Sequence, residues 1–343
     1  MSQAGGEFSA RQITLAHGGG GRAMRDLIEG VLVPAFENPD MDHLEDQARL
    51  TLAGARLAFT TDSYVVDPLE FPGGNIGDLA VNGTVNDLAV GGAQPLWLSC
   101  AMIIEEGLET ELLHRIVTTM RAAADEAGVR IVTGDTKVVN RGAADRLFVT
   151  TAGVGMLPQG LNLSVRNAQP GDSVIVNGYI GDHGATIMVA RDDLALETGL
   201  KSDTAALNGL MSVLLRAAPG TRCTRDVTRG GLAAVVNEIA AASACRIELD
   251  EASLPVRDAV RGVCEILGLD PLYFANEGVL AAIVPPAEAQ AALDAMRAHP
   301  LGRDARIVGQ CRAAERPQVV LNTNFGGARV VDMLVGEQLP RIC

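Results

Sequence analysis

The stretch GDLAVNGTVNDLAVGGAQP, from Gly77 to Pro95, carries the pattern around which the rest of the chain can be arranged. Apolar residues recur along it at helical spacing and predict a helix from Gly77 to Val90. Polar residues also follow a helical spacing, with Asp78, Asn82 and Asn86 at i, i+4 and i+8. Gly83 and Asp87 lie beside them. Because these are poor helix formers, the stripe indicates a face held against something polar, and we favour a bound ligand over a solvated surface.

Two predicted strands near this helix end in an acidic residue. The second strand of a hairpin that turns at Gly54 ends in Thr61-Asp62-Ser63-Tyr64, and the strand Val129 to Thr133 ends in Gly134-Asp135-Thr136-Lys137. Open α/β proteins commonly place ligand groups at the carboxyl ends of strands. Asp62 and Asp135 are therefore candidate ligand residues, with Lys137 as a nearby positive charge.

Glycines precede two further predicted helices. The run His17-Gly18-Gly19-Gly20-Gly21-Arg22 leads into a helix that Pro34 is expected to end, and the segment Arg225 to Gly231 leads into a helix over 230–244. Backbone N–H groups exposed at a helix start can bind phosphate. The first run fits G-x-G-x-x-A but lacks the second strand of a dinucleotide-binding unit, and no Walker A sequence is present. Phosphate contact and a flexible hinge are both left open for it.

Length and composition disfavour several classes of protein. At 343 residues the chain exceeds one ordinary hydrophobic core, so two domains are expected. A net charge of -14 disfavours nucleic acid and anionic lipid as partners, and a 3% share of aromatic residues removes the usual base-stacking surface. The N-terminus has no signal-peptide pattern and no apolar run reaches membrane-spanning length, so a cytoplasmic location is expected. The six cysteines form no CxxC pair and indicate neither zinc nor a redox dithiol.

Four aspartates stand at element ends or on the polar helix face: Asp62, Asp87, Asp135 and Asp226. Carboxylate oxygens of this kind suit Mg²⁺ that also binds the oxygens of a substrate phosphate. Together with the glycine-bearing helix starts and Lys137, they are typical of an ATP-dependent phosphoryl-transfer site outside the P-loop class.

The chain ends in Pro340-Arg341-Ile342-Cys343, which puts a thiol at its free end. From Gly336 to Cys343 an extended chain reaches roughly 25 Å, enough to move between an external partner and an internal site. A cysteine at a chain end is most often incidental. The neighbouring α-carboxylate is expected to raise the pKa of the thiol, so its loading requires a cationic environment from a partner or from Arg341.

Taken together, these motifs resemble the HypE family, the carbamoyl dehydratases of [NiFe]-hydrogenase maturation. The resemblance runs from about His17 to the C-terminus and rests on seven segments, Asp62–Val66, Gly77–Pro95, Gly134–Val139, Gly178–Gly184, Asp226–Ala233, Asn276–Gly278 and Pro340–Cys343. The aspartate and glycine motifs are shared by a superfamily that includes aminoimidazole ribonucleotide synthetase, thiamine monophosphate kinase and selenophosphate synthetase. The PRIC ending is specific to HypE.

This resemblance implies a two-domain α/β (α+β) fold of the aminoimidazole ribonucleotide synthetase type. The expected parts are a glycine-rich segment and helix at 1–45, an ATP-binding and dimerisation domain at 46–165, a C-terminal α/β domain at 166–335 and a flexible tail at 336–343. The N-terminal sheets are expected to form a homodimer, with ATP bound between the domains and across the dimer.

The resemblance also implies a reaction and partners. The carbamoyltransferase HypF would load a carboxamide onto the terminal cysteine, ATP would phosphorylate the amide oxygen, and loss of phosphate would leave a thiocyanate. The cyano group would then pass to iron on the HypC and HypD scaffold.

By resemblance, Cys343, Glu277 and Lys137 are the catalytic residues, with Glu277 and Lys137 in acid/base and charge-positioning roles. Lys137 has the alternative of binding phosphate only. The nucleotide is expected at Gly18, Gly19, Gly20, Gly21, Asn86, Thr136, Lys137, Gly230 and Gly231, and Mg²⁺ at the four aspartates. His183 is left open between contacting the nucleotide and serving as a core or helix-cap histidine.

Two rival functions are carried forward. One is an ATP-dependent small-molecule synthetase or kinase of the same superfamily, in which the tail is inert. The other is a non-catalytic carrier that presents a modified thiol to its partners. Removal of Cys343 separates the first rival from the dehydratase, because only the dehydratase needs the thiol.

Overall fold

The computed structural model describes residues 10–36, 38, 40, 45–191, 198–334 and 342–343. The predicted segment 1–45 is therefore described from residue 10 onward with gaps. Of the predicted tail, Ile342 and Cys343 are described, whereas Pro340 and Arg341 lie outside the described residues.

The N-terminal helix follows the glycine run and continues further than expected. α1 (Arg22–Leu27) passes through a π-helical turn (Ile28–Leu32) into α2 (Val33–Phe36). The prediction that Pro34 ends this helix is wrong. In the π turn the Val33 N–H donates to the Ile28 carbonyl, five residues earlier. This wider turn comes directly before Pro34, so the helix continues through the proline.

A five-stranded sheet forms the first half of the chain. Its strands are β1 (Ala48–Leu52), β2 (Ala55–Tyr64), β5 (Gln94–Glu105), β6 (Arg130–Val139) and β7 (Leu147–Met156), in the order β1-β2-β7-β5-β6. The small hairpin β3 (Glu70–Phe71) and β4 (Gly74–Asn75) lies between β2 and the helix α3 (Ile76–Val90). α3 and α4 (Thr110–Ala127) pack together on one face of the sheet, so the predicted hairpin and the predicted helix from Gly77 are both confirmed.

β6 runs six residues past the predicted strand end at Thr133. It pairs in parallel with β5 from the Trp97–Arg130 pair to the Glu105–Val139 pair, so Asp135 and Lys137 lie inside the strand and not after it. Gly134, which follows the predicted end of the strand, instead lies within it, where β5 and β6 approach each other closely. A Cβ at this position would stand 2.1 Å from the Cys100 carbonyl oxygen.

A seven-stranded sheet forms the second half, in the order β14-β13-β10-β12-β8-β11-β9. Its strands are β8 (Ser173–Val176), β9 (Cys223–Asp226), β10 (Arg246–Asp250), β11 (Leu280–Val284), β12 (Arg306–Arg312), β13 (Gln318–Asn322) and β14 (Ala328–Val330). Its helices are α5 (Asp182–Ala190), α6 (Asn208–Ala217), α7 (Gly231–Ser243), α8 (Asp258–Leu267) and α9 (Ala289–Arg297). A largely aliphatic core fills the space between this sheet and α7.

The sequence near Ser202 to Ala217 predicts a helix, but the segment 202–207 is a loop and α6 begins at Asn208. Its backbone N–H groups bond to other parts of the chain. Ser202 N donates to the Pro72 carbonyl at 2.8 Å, and Leu207 N donates to Asn86 Oδ1 at 2.8 Å. Tertiary hydrogen bonds thus replace the helical ones.

The polar stripe of α3 faces this loop. Asn86 Nδ2 donates to the carbonyls of Ala205 and Glu277, and Asn82 Nδ2 donates to Thr204 Oγ1. The stripe is therefore held against something polar, as expected, but its partner along Asn82 and Asn86 is the second half of the chain. Among the described residues no helix combines the length and the apolar character needed to cross a membrane.

Candidate active site

A cavity of about 900 Å³ opens between the two halves, bounded by β2, α3, β9 and the N-terminal helix. The sequence-predicted residues that line it are Gly20, Gly21, Asp62, Asp87, Asp226, Glu277 and Cys343. Residues far apart in the chain are thus brought together because α3 and β9 pack against each other at the junction of the halves.

Three aspartates meet at one wall of the cavity. A carboxylate oxygen from each of Asp46, Asp87 and Asp226 lies within 4.8 Å of the others. Thr60 Oγ1 donates to Asp87 Oδ2 at 2.7 Å, and the guanidinium of Arg225 hydrogen bonds to Asp46. Asp87 comes from α3 and Asp226 from the end of β9, whereas Asp46 precedes β1 and was not predicted.

Crowding and burial disfavour the charged form of these acids. Burial, followed by the charge of Asp62, raises the pKa of Asp87 well above its usual range. Burial and the charge of Asp46 raise the pKa of Asp226 to about 8. A divalent cation would relieve this repulsion, and an all-oxygen donor set is the kind that Mg²⁺ accepts. The residues present therefore fit the expected metal.

Asp62 lies next to this cluster on β2, with its carboxyl group against the side chain of Asp87. The hydroxyl of Tyr64 donates to Asp62 Oδ2 at 3.2 Å. Burial raises the pKa of Asp62, and the hydrogen bond from Tyr64 opposes the rise. Three of the four predicted metal aspartates are thus neighbours.

Glu277 is buried at the inner end of the cavity. Its backbone N–H donates to Asp203 Oδ1 at 3.1 Å, whereas its side-chain Oε1 has no hydrogen-bond partner among the described residues. Burial and the charge of Asp226 raise the pKa of Glu277 well above its usual range. An unpartnered buried carboxyl group with a raised pKa is a typical candidate for acid/base work.

The end of the chain lies inside the same cavity. Val65 N donates to the backbone oxygen of Cys343 at 3.2 Å, and the thiol of Cys343 lies beside the side chain of Arg229. Burial raises the pKa of the thiol to about 11, and the positive charge of Arg229 opposes the rise. A cationic neighbour was expected from Arg341 or a partner, whereas the described residues supply it from Arg229.

The glycine runs serve close backbone packing. Gly20 has a φ of +74°, and a Cβ there would stand 2.9 Å from the backbone oxygen of Arg229; a Cβ at Gly21 would stand 2.5 Å from the Leu334 carbonyl oxygen. The Gly18 carbonyl accepts a 2.7 Å hydrogen bond from Arg229, and neither Gly18 nor Gly19 lines the cavity. The first run is therefore seated on the second half of the chain.

The start of α7 shows the same kind of packing. Gly230 and Gly231 have φ values of +81° and +62°, and a Cβ at Gly231 would stand 2.4 Å from the Leu272 carbonyl oxygen. Neither glycine lines the cavity. Phosphate binding by these two glycines remains a prediction.

Four more predicted residues, besides the four glycines just named, do not line the cavity within one chain. Both side-chain N–H donors of Asn86 are used by carbonyls of the chain itself. Asp135, Thr136 and Lys137 lie on β6, where Lys137 Nζ is 2.8 Å from Asp135 Oδ2. The hydrogen bond from Lys137, followed by that from the Thr136 N–H, lowers the pKa of Asp135.

The outer face of the first sheet carries both Asp135 and Lys137. They stand opposite Ala101 and Ile103 of β5, on the face turned away from α3 and α4. Large apolar side chains on this face are more than 40% exposed: Phe59, Trp97, Ile103 and Met156. The apolar run from Trp97 to Ile104 predicts a buried strand, but this strand is buried on one side only. An exposed apolar face of this kind is typical of an interaction surface.

Sequence reasoning missed several residues of the cavity, chiefly Asp46, Tyr64, Arg225, Arg229 and the supporting Asp203. Arg225 and Arg229 stood inside a segment that was singled out, so their proximity to Asp226 was a usable signal. Asp46 and Asp203 lie in segments without a pattern, and only the tertiary fold brings them to the site.

Comparison with known proteins places the chain among described families. Residues 44–157 match the family of the AIR synthase related protein, N-terminal domain, and residues 169–322 match its C-terminal domain. Carbamoyl dehydratase HypE of Rhodobacter capsulatus is 63% identical over 337 residues, which cover 97% of this chain and 98% of that protein.

Solved structures give the same result. The structure of a HypE-HypF complex contains a chain with a TM-score of 0.85 at 46% identity, covering 90% of this chain and 99% of that one. HypE in complex with ATP has a TM-score of 0.81 at 47% identity, covering 97% of this chain and 100% of that one. The expected two-domain α/β fold is confirmed by these matches.

Proposed function

The chain belongs to the carbamoyl dehydratase HypE family, and from this premise we propose that it dehydrates a carboxamide carried on its own C-terminal cysteine to a thiocyanate at the expense of ATP. The observation that carries the proposal is the position of Cys343. Its thiol lies in the same cavity as Glu277, Arg229 and the aspartate cluster.

The reaction balances as an activation followed by an elimination. The amide oxygen of the S-carboxamide attacks the γ-phosphorus of ATP, ADP leaves, and the nitrogen gives up one proton to form an O-phosphorylated imidate. The C–O bond then breaks with loss of phosphate, the nitrogen gives up its remaining proton, and a C≡N bond forms. The amide oxygen ends in phosphate, so no free water is required.

Glu277 is the residue we assign to accept a proton from the amide nitrogen. Burial, followed by the charge of Asp226, raises its pKa, and a carboxylate with a raised pKa is a stronger base. Arg229 holds the tail sulfur and supplies positive charge beside it.

Asp46, Asp87 and Asp226 would hold Mg²⁺, with Asp62 beside them. When bound, the ion would neutralise charge that develops on the transferred phosphoryl group. Arg225 keeps Asp46 in place, and Thr60 does the same for Asp87.

Lys137 reaches such a site if the protein is a homodimer. Asp135 and Lys137 lie on the exposed apolar face of the first sheet, so a second copy packed on that face would cover Trp97 and Ile103 and carry its own Lys137 toward the cavity of its partner. Burial of exposed apolar side chains is the usual driving force for such packing. ATP bound across the dimer, with Thr136 and Lys137 contributed by the second copy, follows from this arrangement.

The partners follow from the chemistry of the tail. A HypF-type carbamoyltransferase would load the thiol, and a HypC and HypD scaffold would accept the cyano group on iron. Each exchange requires the tail to leave the cavity, since Ile342 is buried there and Cys343 is partly buried. We place this sequence of reactions in the cytoplasm, where ATP is available.

Intact-mass measurement of the carbamoylated protein tests the proposal. With MgATP the adduct should become lighter by the mass of one water, and without MgATP or with a non-hydrolysable ATP analogue it should not change. An unchanged mass with MgATP would favour the non-catalytic carrier.

The variant Cys343→Ala tests the second rival. It should show no product formation, whereas a small-molecule synthetase or kinase with an inert tail would keep its activity. His114→Ala, an exposed histidine on α4, serves as a matched control and should behave as wild type.

A further inference from the structure

We propose that His183 is a positioning residue that fixes the register of the tail, by hydrogen bonding to the backbone carbonyl of Ile342, so that the thiol of Cys343 points into the cavity. This inference rests on the proposed function, because a seat for the tail matters only if the tail carries the substrate. The sequence left His183 open between nucleotide contact and a core or cap role.

His183 is enclosed at the start of α5 and makes two short hydrogen bonds. Its side chain is fully buried, Nε2 lies 2.6 Å from the Ile342 carbonyl oxygen, and Nδ1 lies 2.8 Å from Ser202 Oγ. The ring of Phe71 meets the imidazole edge-on, with ring centroids 5.6 Å apart. The imidazole therefore has one orientation available to it.

The partners fix which nitrogen carries the proton. A carbonyl oxygen only accepts, so Nε2 donates to Ile342, and Nδ1 accepts from the Ser202 hydroxyl. Ser202 Oγ in turn accepts from the Thr204 N–H at 3.2 Å. Burial lowers the pKa of His183 to about 4, so the imidazole stays neutral at neutral pH and keeps this arrangement.

The tail is held at two further points. The side chain of Ile342 is 4% exposed and packs in the apolar cluster of Tyr64, Val66 and Phe71. Val65 N donates to the backbone oxygen of Cys343 at 3.2 Å. The thiol is left facing Arg229 by three contacts: the buried side chain of Ile342, the hydrogen bond from His183 to the Ile342 carbonyl, and the hydrogen bond from Val65 to Cys343.

The loop that supports His183 also supports Glu277. Asp203, next to Ser202, accepts from the N–H groups of Glu277 and Gly278 at 3.1 and 3.2 Å, and from Asn276 Nδ2 at 2.7 Å. One loop thus supports both His183, which holds the tail of Cys343, and Glu277, the proposed base.

Alkylation of Cys343 by iodoacetamide, resolved by peptide mass spectrometry, measures how firmly the tail is seated. In His183→Ala we expect alkylation about tenfold faster than in wild type, since one hydrogen bond to a backbone carbonyl is lost and its site partly hydrated. Ile342→Ala should also accelerate alkylation, and because it changes only the chain end it leaves the fold of the rest intact. His183→Gln keeps a donor for the carbonyl and should restore much of the protection.

Single-turnover dehydration of the carbamoylated protein provides the second readout. His183→Ala should lose the mass of one water about tenfold more slowly than wild type, with rescue by His183→Gln and no change in His114→Ala. Equal alkylation and equal dehydration rates in His183→Ala, Ile342→Ala and wild type would overturn the inference.

The two readouts separate the inference from the proposed function. If wild-type adduct never loses water with MgATP, the proposed function fails, yet the alkylation series still tests the seat. If wild type dehydrates and the His183 and Ile342 variants match it, the seat fails and the function stands.

Discussion

Two regions of the molecule combine carboxylates with a cation, and they behave in opposite ways. In the cavity, Asp226 is buried beside Asp46 and Arg225, and burial raises its pKa to about 8. On β6, Asp135 is exposed beside Lys137, and this pairing lowers its pKa. The same residue types therefore give an acid with a raised pKa in the cavity and an ion pair that stabilises the carboxylate on β6.

The difference teaches where binding free energy is available. Buried acids that repel one another are stabilised when a cation binds, so the aspartate cluster favours cation binding. The β6 pair has already satisfied its charges and is screened by solvent, so by itself it has little to gain. It becomes useful only where another surface removes it from water.

Replacement of one acid in each region gives the largest expected contrast. Asp87→Asn should lower the dehydration rate at least about 100-fold, because even groups that only support metal ligands cost 10- to 100-fold. The same variant should raise the melting temperature of the Mg²⁺-free protein at pH 8, since a repelling carboxylate is removed.

Asp135→Asn is the matched replacement on β6. It should lower the melting temperature only slightly, because the residue is exposed and its ion pair with Lys137 is screened by solvent. A stabilised Asp135→Asn, or an Asp87→Asn variant with wild-type turnover, would remove the contrast between the two regions.

Subunit mixing tests whether Lys137 serves the cavity of a second copy. Lys137→Ala and Glu277→Gln should each be nearly inactive alone. After subunit exchange at equal ratio, half of the dimers are mixed, and each mixed dimer has one cavity with both wild-type residues. We expect recovery of about a quarter of the wild-type activity.

Recovery fails if Lys137 acts within its own chain, because every subunit then carries one defect. A mass tag on one of the two variants, read by native mass spectrometry, shows whether exchange is complete. A mixture of the two inactive variants that stays inactive while exchange is complete would show that Lys137 acts within its own subunit.

A charge on the outer sheet face gives a smaller effect by the same route. Ile103→Lys, opposite Lys137 in the sheet, should shift about nine tenths of the protein to monomer in analytical ultracentrifugation and reduce turnover about tenfold, because only the remaining dimer has complete cavities. Val117→Lys, on the exposed side of α4 at 46% exposure, is the control and should remain dimeric. A dimeric Ile103→Lys protein would place the interface elsewhere.

Local patterns predicted the parts of the fold that local forces decide. The apolar spacing from Val81 to Ala89 gave α3 to within one residue at its start, and the hairpin at Gly54 was placed correctly. By contrast, Gly134 was misjudged because its role depends on the neighbouring strand at Cys100. The loop at 202–207 was misjudged because its N–H groups bond across the chain.

The candidate site divides along the same line. Asp87, Asp226 and Glu277 stand in segments with clear patterns, and the fold brings them together. Asp46 and Asp203 reach the site only through tertiary contacts, so no spacing indicates them. The C-terminal motif identified Cys343, but its position beside Arg229 depends on the tertiary fold and could not be predicted from the motif.

A pH series on Asp182 gives the smallest effect and tests whether burial outweighs an ion pair. Arg257 Nε lies 2.8 Å from Asp182 Oδ2, yet burial raises the pKa of Asp182 from 3.8 to about 6. A raised pKa favours the protonated folded form, so this contribution to stability is full below about pH 4 and is lost as the pH rises through about 6. Relative to Asp182→Asn, wild type should lose up to about 3 kcal/mol of unfolding free energy across that range, measured by urea denaturation.

Asp135→Asn should show the opposite sign, because the lowered pKa of Asp135 gives wild type stability above pH 4 that disappears in acid. Parallel curves for wild type and Asp182→Asn would show that the ion pair with Arg257 governs Asp182 as Lys137 governs Asp135.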